Sequence, residues 1–466
     1  MVQTVELRGP LNGAERVDSL EAIWPEAPNT VEETGLSSLF LEELALKTVH
    51  YAGPSTLEHI ARRMGLSVSI IEDICDSLRS AGLVEAAGVS EHSGQQYSTL
   101  GYKFALTGRG EQRAADALTR SRYAGLAPVV LDQYIGLAVR QSLRSAPASP
   151  EQISAAMASF VLQPHVRESL AHAFHSGRPA LIYGETGNGK TAIADAYARS
   201  FVENVLIPGA LYVPGHTIRI FDAAVHRRVD PATDRDVPAS TDEEIDGSPE
   251  PGILRRVKRA VDHRWLPVRR PVVVVGGELN ADGLELAYDE TGGFYIAPPH
   301  LKAQDGIFII DDFGRQQVRP EELLNRWIVP LERGYDLLTL KSGESLSVPF
   351  ETSVLFATNL SPADLADEAF LRRIPYKVRL TNPGEPEMAE ITRRECRGRQ
   401  IECDEAGVEA IVAAIFRPGR PAPKAVYPRD LISIIEDGAR YNGRPLVLTP
   451  ETVADACDVY FLDGAS

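Results

Sequence analysis

The chain has 466 residues, a formal net charge of −17 and four cysteines. That length suggests about three domains with material for apolar cores, and it excludes a small scaffold stapled by disulfides. The negative charge sets a repulsive long-range field toward nucleic acid, so any such role would need a local basic patch.

Cys75, Cys396, Cys403 and Cys457 fit no C-x-x-C spacing, which predicts reduced thiols and a cytoplasmic protein. Met1 to Leu11 lack a basic stretch followed by an apolar core, and no apolar run is long enough to span a bilayer, so neither a signal peptide nor membrane insertion is expected. Residues 1–35 mix Pro, Gly, Asn and acidic side chains without periodicity and are expected to form a loosely held arm.

From Leu36 a helical pattern begins: Phe40, Leu41, Leu44, Ala45, Thr48 and Tyr51 share one face, with Leu46 and Val49 off it. A second helix over Ser55 to Met64, the turn Gly65-Leu66-Ser67 and a third helix over Val68 to Ala81 resemble a helix-turn-helix. Gly88, Ser90, Ser93 and Gly94 suit a β wing with Tyr97 to Leu106 as its return strand, giving a winged-helix-like domain over about 36–122. The third helix carries Glu72, Asp73 and Asp76 against Arg79, and carboxylates there would face phosphates, so protein docking is favoured over DNA binding.

Residues 123–150 read as an amphipathic connector ending in the small-residue linker Ser145 to Pro150. A nucleotide-binding α/β core over 151–380 is expected next, with an exposed acidic insertion at 224–252. Its first strand, Pro179 to Tyr183, runs into Gly184-Glu185-Thr186-Gly187-Asn188-Gly189-Lys190-Thr191, a complete G-x-x-x-x-G-K-[ST] phosphate loop that opens a helix at about Ala192. Gly184, Gly187 and Gly189 let the backbone wrap so that N–H groups point at phosphate oxygens, and the helix adds its positive dipole end. Lys190 is then placed for the β and γ phosphates of ATP, and the Thr191 hydroxyl for Mg²⁺.

Ile307-Phe308-Ile309-Ile310 is a continuous apolar run of the kind found in a central parallel strand, and it ends in Asp311-Asp312. A Walker B element looks like this: Asp311 would hold Mg²⁺ through water, and Asp312 would orient and deprotonate the attacking water. Val354 to Thr358 forms another apolar strand that ends at Asn359.

With these motifs in this order the chain resembles the AAA+ ATPases over about 151–464. The resemblance implies that Asn359 is sensor 1, on the strand next to Walker B. Asp367 to Ile374 looks like the D-x-A-h-h-R-R segment, so Arg372 or Arg373 would be the arginine finger presented to a neighbouring subunit, with Arg315 or Arg326 as alternatives. A lid of four helices over 381–466 is expected at Pro386 to Arg397, Asp404 to Phe416, Pro428 to Tyr441 and Pro450 to Phe461. Arg429 in Tyr427-Pro428-Arg429-Asp430-Leu431 matches sensor 2. The implied protein is a homo-oligomeric ring, a hexamer, that hydrolyses ATP at subunit interfaces to remodel a protein partner. Alternatives are a DNA-associated regulator and a slow-turnover scaffold.

Two departures stand out. The acidic pair is Asp-Asp rather than Asp-Glu, so Asp312 is one methylene short for the water and slow hydrolysis is expected. The gap before Walker B is long and holds Tyr288 to Tyr295, which looks like a hairpin; Phe294 and Tyr295 either project toward a central pore or pack the hairpin onto the core.

Overall fold

A computed structural model describes residues 20–89, 102–231, 233–237, 260–316, 319–365, 368–401 and 403–461. Short helix α1 (Leu20–Ile23) leads into α2 (Ser38–Ala52), which Ser37 caps by accepting from the Phe40 N–H. Around α2 gather β1 (Ser55–Thr56), α3 (Leu57–Met64), α4 (Val68–Ser80), the antiparallel pair β2 (Val84–Val89) and β3 (Tyr102–Leu106), and α5 (Gly108–Arg120). The sheet order is β1-β3-β2. Thr56, Ser67 and Thr107 cap α3, α4 and α5 with their hydroxyls, which explains why each helix starts where it does.

Because α3, α4, α5 and β3 all contact α2, its core face is wider than its sequence periodicity implies. Leu46 and Val49 are buried with Leu41, Leu44 and Ala45, whereas Tyr51, expected inside, is 54% exposed. Ser90, Ser93, Gly94 and Tyr97, assigned to the wing, lie outside the described residues, as do residues 1–19 of the arm. The described end of that arm is not loose: Ile23, Trp24 and Thr34 are buried, and the Trp24 indole donates to the Asp262 carbonyl at 3.0 Å.

The connector packs too. It contributes β4 (Val129–Val130) and α6 (Leu131–Gln141), and Leu143 and Ala148 of its last part are buried. Next come α7 (Pro150–Ala156), α8 (Pro164–Ser176), β5 (Ala180–Gly184) and α9 (Lys190–Arg199).

Between α9 and the second half of the core lies a β-rich unit, where the motifs alone predict one continuous α/β core. It holds β6 (Asn204–Pro208), β7 (Ala210–Val213), β8 (His216–Arg219), β9 (Val229–Asp230), β10 (Arg235–Asp236), β11 (Trp265–Arg269), β13 (Ala287–Asp289) and β14 (Phe294–Ile296). One sheet runs β13-β14-β8-β7-β4, and β6 pairs with β11. The unit has its own apolar centre, shared with α6 and the hairpin of β16 (Tyr335–Thr339) and β17 (Ser345–Pro349). The acidic stretch from 224 is anchored where it is described: His226 and Val229 are buried, and Asp234 and Asp236 pair with Arg269. Residues 238–252 of that stretch lie outside the described residues.

The α/β core is a five-stranded, all-parallel sheet in the order β12 (Val272–Val275), β15 (Ile307–Ile310), β18 (Ser353–Thr358), β5, β19 (Tyr376–Leu380). Every residue of β15 and β18 is buried, as expected of strands covered on both faces. Alternate side chains serve opposite layers. Ile307, Ile309 and Leu355 meet Leu170 and Phe174 of α8 with Ile193 and Tyr197 of α9. Phe308, Ile310 and Phe356 meet Leu323, Leu324 and Trp327 of α11 (Pro320–Arg333). Short helices α10 (Pro299–Lys302), α12 (Pro362–Leu365) and α13 (Glu368–Leu371) close turns around the sheet.

Four helices finish the described chain: α14 (Glu385–Gly398), α15 (Glu405–Ile415), α16 (Tyr427–Tyr441) and α17 (Pro450–Tyr460), around a separate core that includes Met388, Ile411, Leu431 and Val453. Each lies within a few residues of its predicted span. The fold class is the α/β sheet with a helical lid that the motifs predict. All four cysteines are free, and among the described residues no helix is long and apolar enough to cross a membrane.

Candidate functional site

The carboxyl ends of β5, β15 and β18 converge on the phosphate loop, because β18 pairs with both β15 and β5. Gly184 cannot carry a side chain: its φ is +144° and a Cβ there would sit 2.2 Å from the Leu380 carbonyl oxygen. Gly187 and Gly189 have φ of +86° and +84°, and α9 begins at Lys190 directly after Gly189. This is the strand, loop and helix geometry that turns backbone donors toward an anion.

Lys190 is buried, and its ammonium donates to the Gly184 and Glu185 carbonyls at 2.9 Å each. Burial lowers its pKa, while the Asp312 and Asp311 carboxylates oppose that. The Thr191 hydroxyl donates to Asp311 Oδ2 at 2.7 Å. One residue on, Asp312 Oδ1 accepts from the Asn359 amide at 3.2 Å, and Asn359 Oδ1 is buried without a protein partner. Asp312 sits at φ +48°, a left-handed backbone that costs of order 1–3 kcal/mol in a non-glycine residue. Neighbouring hydrogen bonds hold that turn: the Phe313 N–H donates to the Ala357 carbonyl at 2.8 Å, and the Thr358 hydroxyl donates to the Phe313 carbonyl at 2.6 Å. The Gln316 side chain accepts from the Gly314 N–H at 2.7 Å.

Thr186, Gly187, Asn188, Gly189, Lys190, Thr191 and Ala192 line one cleft of about 1120 Å³ together with Asp311, Asp312, Asn359 and Arg429. Arg429 is exposed, and its guanidinium meets Asp430 Oδ1 at 3.0 Å. Glu185 is exposed at the loop's shoulder. The lid reaches the loop directly. The Val426 N–H donates to the Gly187 carbonyl at 3.0 Å, and a Cβ on Gly187 would press Val426 Cγ1 at 3.0 Å. Asn188 accepts from the Ala425 N–H at 3.2 Å and donates to Asn382 Oδ1 at 2.7 Å. Sequence reasoning missed this role of Asn188, since nothing near it in sequence signals a partner at 382 or 425.

The arginines separate clearly. Arg372 is exposed, whereas Arg373 donates to Glu332 Oε2 at 2.8 Å. Asp367, which opens their segment, lies outside the described residues. Arg315 is exposed after the Asp312 turn. Arg326 is engaged within its own subunit: it is tied to Glu285 and to the fully buried Asp336, which His300 also contacts at 2.9 Å. Burial alone would raise the Asp336 carboxyl, but the bonds and charges of His300 and Arg326 outweigh it and hold it below its ordinary value. Arg326→Ala should therefore strand a buried carboxylate and destabilise the fold by about 3 kcal/mol. A chemical denaturation curve checks this, and an unchanged midpoint would refute it.

The hairpin expectation is met by β13 and β14, but its aromatics face inward. Tyr295 is 2% exposed, and its hydroxyl accepts from the Lys341 N–H at 2.9 Å. Phe294 packs on Tyr123 at 5.9 Å and under Arg219. They pack the hairpin onto the core rather than project from it.

The donor set suits a hard cation. Thr191 and Asp311 offer oxygens side by side, and among the described residues no group of three or more His, Cys, Asp or Glu side chains forms a cage. Mg²⁺ fits such a sparse site, because it retains waters and takes substrate phosphates as ligands.

Residues 384–459 match a family described as a domain of unknown function, DUF8689. No curated protein matches the sequence. Similar solved structures include RuvB of Thermotoga maritima, described as a Holliday junction branch migration motor, at 14% identity and TM-score 0.33 over 68% of this chain and 72% of that one. NtrX of Brucella abortus in complex with ADP aligns at 13% identity and TM-score 0.37 over 75% of this chain and 66% of that one. NtrX in complex with ATP aligns at 12% identity and TM-score 0.36 over 63% of this chain and 53% of that one. Likeness this distant transfers no residue roles, and the chemistry must come from the cleft itself.

Proposed function

We propose that the chain is an AAA+ ATPase that binds ATP with Mg²⁺ in this cleft, hydrolyses it at the interfaces of a ring oligomer, a hexamer, and uses the turnover to remodel a protein partner. One observation carries the reading. Phosphate loop, Thr191–Asp311 pair, Asp312–Asn359 pair and lid Arg429 line a single cleft although they come from four separate stretches of sequence.

In this reading the loop amides and Lys190 bind the phosphates, and Thr191 and Asp311 would hold Mg²⁺, which would supply neutralising charge for the phosphates. Asp312 accepts a proton from the attacking water. Asn359 orients that water through its free amide oxygen while its amide N–H₂ fixes the Asp312 carboxylate. Arg429 reports the nucleotide to the lid, and an arginine from the next subunit completes the charge stabilisation. The N-terminal unit reads as a winged helix that docks or regulates. Its α4 surface supports a protein rather than DNA, because Asp73 and Asp76 are exposed and Arg79 is already paired with Asp76 at 3.0 Å.

Specific ATPase activity measured with Mg²⁺ from low to high protein concentration tests the shared site. It is expected to rise steeply and then level off as subunits assemble. Flat, near-zero activity beside tight ATP binding would instead favour a nucleotide-dependent scaffold, the reading that the short Asp312 side chain motivates. In that case Asp312→Glu should restore turnover. Salt-sensitive binding of the full chain to duplex DNA would move the reading to the DNA-associated regulator.

A further inference from the structure

Two arginines splint the loop between α7 and α8. Arg167 of α8 donates to the Met157 carbonyl at 3.2 Å and to the Phe160 carbonyl at 2.7 Å. From the other side, Arg394 of lid helix α14 donates to the Ala158 carbonyl at 2.7 Å and to the Phe160 carbonyl at 3.3 Å. Glu390, one turn earlier on α14, holds the Arg394 Nε at 2.8 Å and so aims the guanidinium across the gap. The splinted loop then presents Phe160, Val161 and Leu162 to the cleft, opposite Ile391 of α14. Those four side chains are apolar, although Arg394, Glu395 and Arg397 line the same cleft, and such a face suits a flat heteroaromatic ring and not a phosphate.

Resting on the nucleotide reading above, we infer that Arg394 is a positioning residue that fastens the lid to the base-binding wall, so that the affinity for the nucleobase depends on the lid being docked. Arg394 lines the same cleft, and its hydrogen bonds go to Glu390, Ala158 and Phe160 rather than to the phosphate loop. Its guanidinium is spent on three acceptors, two loop carbonyls and Glu390, and a fork of fixed donors is needed to satisfy them together. Arg429 stands on a different lid helix beside the phosphate loop, so the two lid arginines divide the ligand between them: Arg394 acts on the base end and Arg429 on the phosphate end.

The test is a titration of the full-length wild type, Arg394→Ala and Arg394→Lys with ATP, ADP and inorganic tripolyphosphate, followed by steady-state kinetics. Arg394→Ala should weaken ATP and ADP by the same factor, about tenfold, and raise KM with kcat unchanged, while tripolyphosphate binding stays at the wild-type value. Arg394→Lys, which keeps the charge but can serve only part of the acceptor set, should fall between. Equal loss of tripolyphosphate would overturn the inference, because the residue would then act on the whole site. So would unchanged ATP affinity in a variant whose wild type binds ATP. A wild type that binds neither ATP nor ADP overturns the nucleotide reading itself. Thermal melting of each variant separates these outcomes from misfolding.

Discussion

Lys190→Ala should weaken ATP binding by about 10² to 10⁴, the loss of two charge-assisted hydrogen bonds at roughly 1.5–3 kcal/mol each. The ammonium already lies among oxygen acceptors, 2.9 Å from two loop carbonyls, with Asp311 and Asp312 electrostatically coupled to it. Phosphate oxygens arriving in the loop would offer it stronger acceptors than those carbonyls, whereas Lys424 and Arg315 act on Lys190 as like charges and Arg429 stands on the lid side of the cleft. The substitution removes a chain that is mostly stem and leaves the loop glycines unchanged, so the fold should persist. Titration with a fluorescent ATP analogue, read beside thermal melting, checks both statements. A variant that binds as tightly as the wild type would remove the phosphate loop from the proposed mechanism.

Asp311, Asp312, Asn359 and the glycines are legible in the sequence because their signals are local: an apolar run fixes a buried strand, and the residues next after the run must lie at its carboxyl end. Lid helices are legible for a similar reason. Thr449 and Asp404 cap α17 and α15 by accepting from N–H groups three residues on, so the sequence marks the helix starts itself. Apart from the β13–β14 hairpin, the β-rich unit is not legible. Its strands are two to five residues long, and two of its pairings join distant stretches in parallel, Val129 with Leu211 and Tyr295 with Ile218, so no turn signal announces those two. Tyr295 stays open between pore and packing in the sequence on that account, since its burial rests on strand β8 and on Lys341 as well as on Tyr288 of its own hairpin. The wide burial of α2 escapes periodicity for the same physical reason: three helices and a strand surround it, and only two of those helices come directly after it. Asn188 and Arg394 illustrate the remaining limit, because each acts through a partner more than 190 residues away in sequence.

Arg372→Ala should leave ATP affinity intact and lower kcat by about 10³ or more, the range seen when a trans-acting arginine is removed from phosphoryl transfer. Arg372 is the stronger of the two candidates. Arg373 spends its guanidinium on Glu332, at 2.8 Å from Nη2 and 3.3 Å from Nε, and so pins the segment after α13 to α11. That pinning would hold Arg372, which is exposed on the same turn, toward a neighbour. Arg373→Ala should therefore also reduce turnover, but by loosening its neighbour's placement, and it should be partly rescued by lysine where Arg372→Lys is not. Mixing supplies the decisive measurement. Arg372→Ala subunits keep an intact phosphate loop, and Lys190→Ala subunits keep an intact arginine, so mixed assemblies contain some interfaces with both. Activity that reappears on mixing two inactive variants establishes that the arginine acts across the interface. If each variant stays inactive in every mixture while oligomers form, Arg372 works within its own subunit and the shared-site mechanism fails.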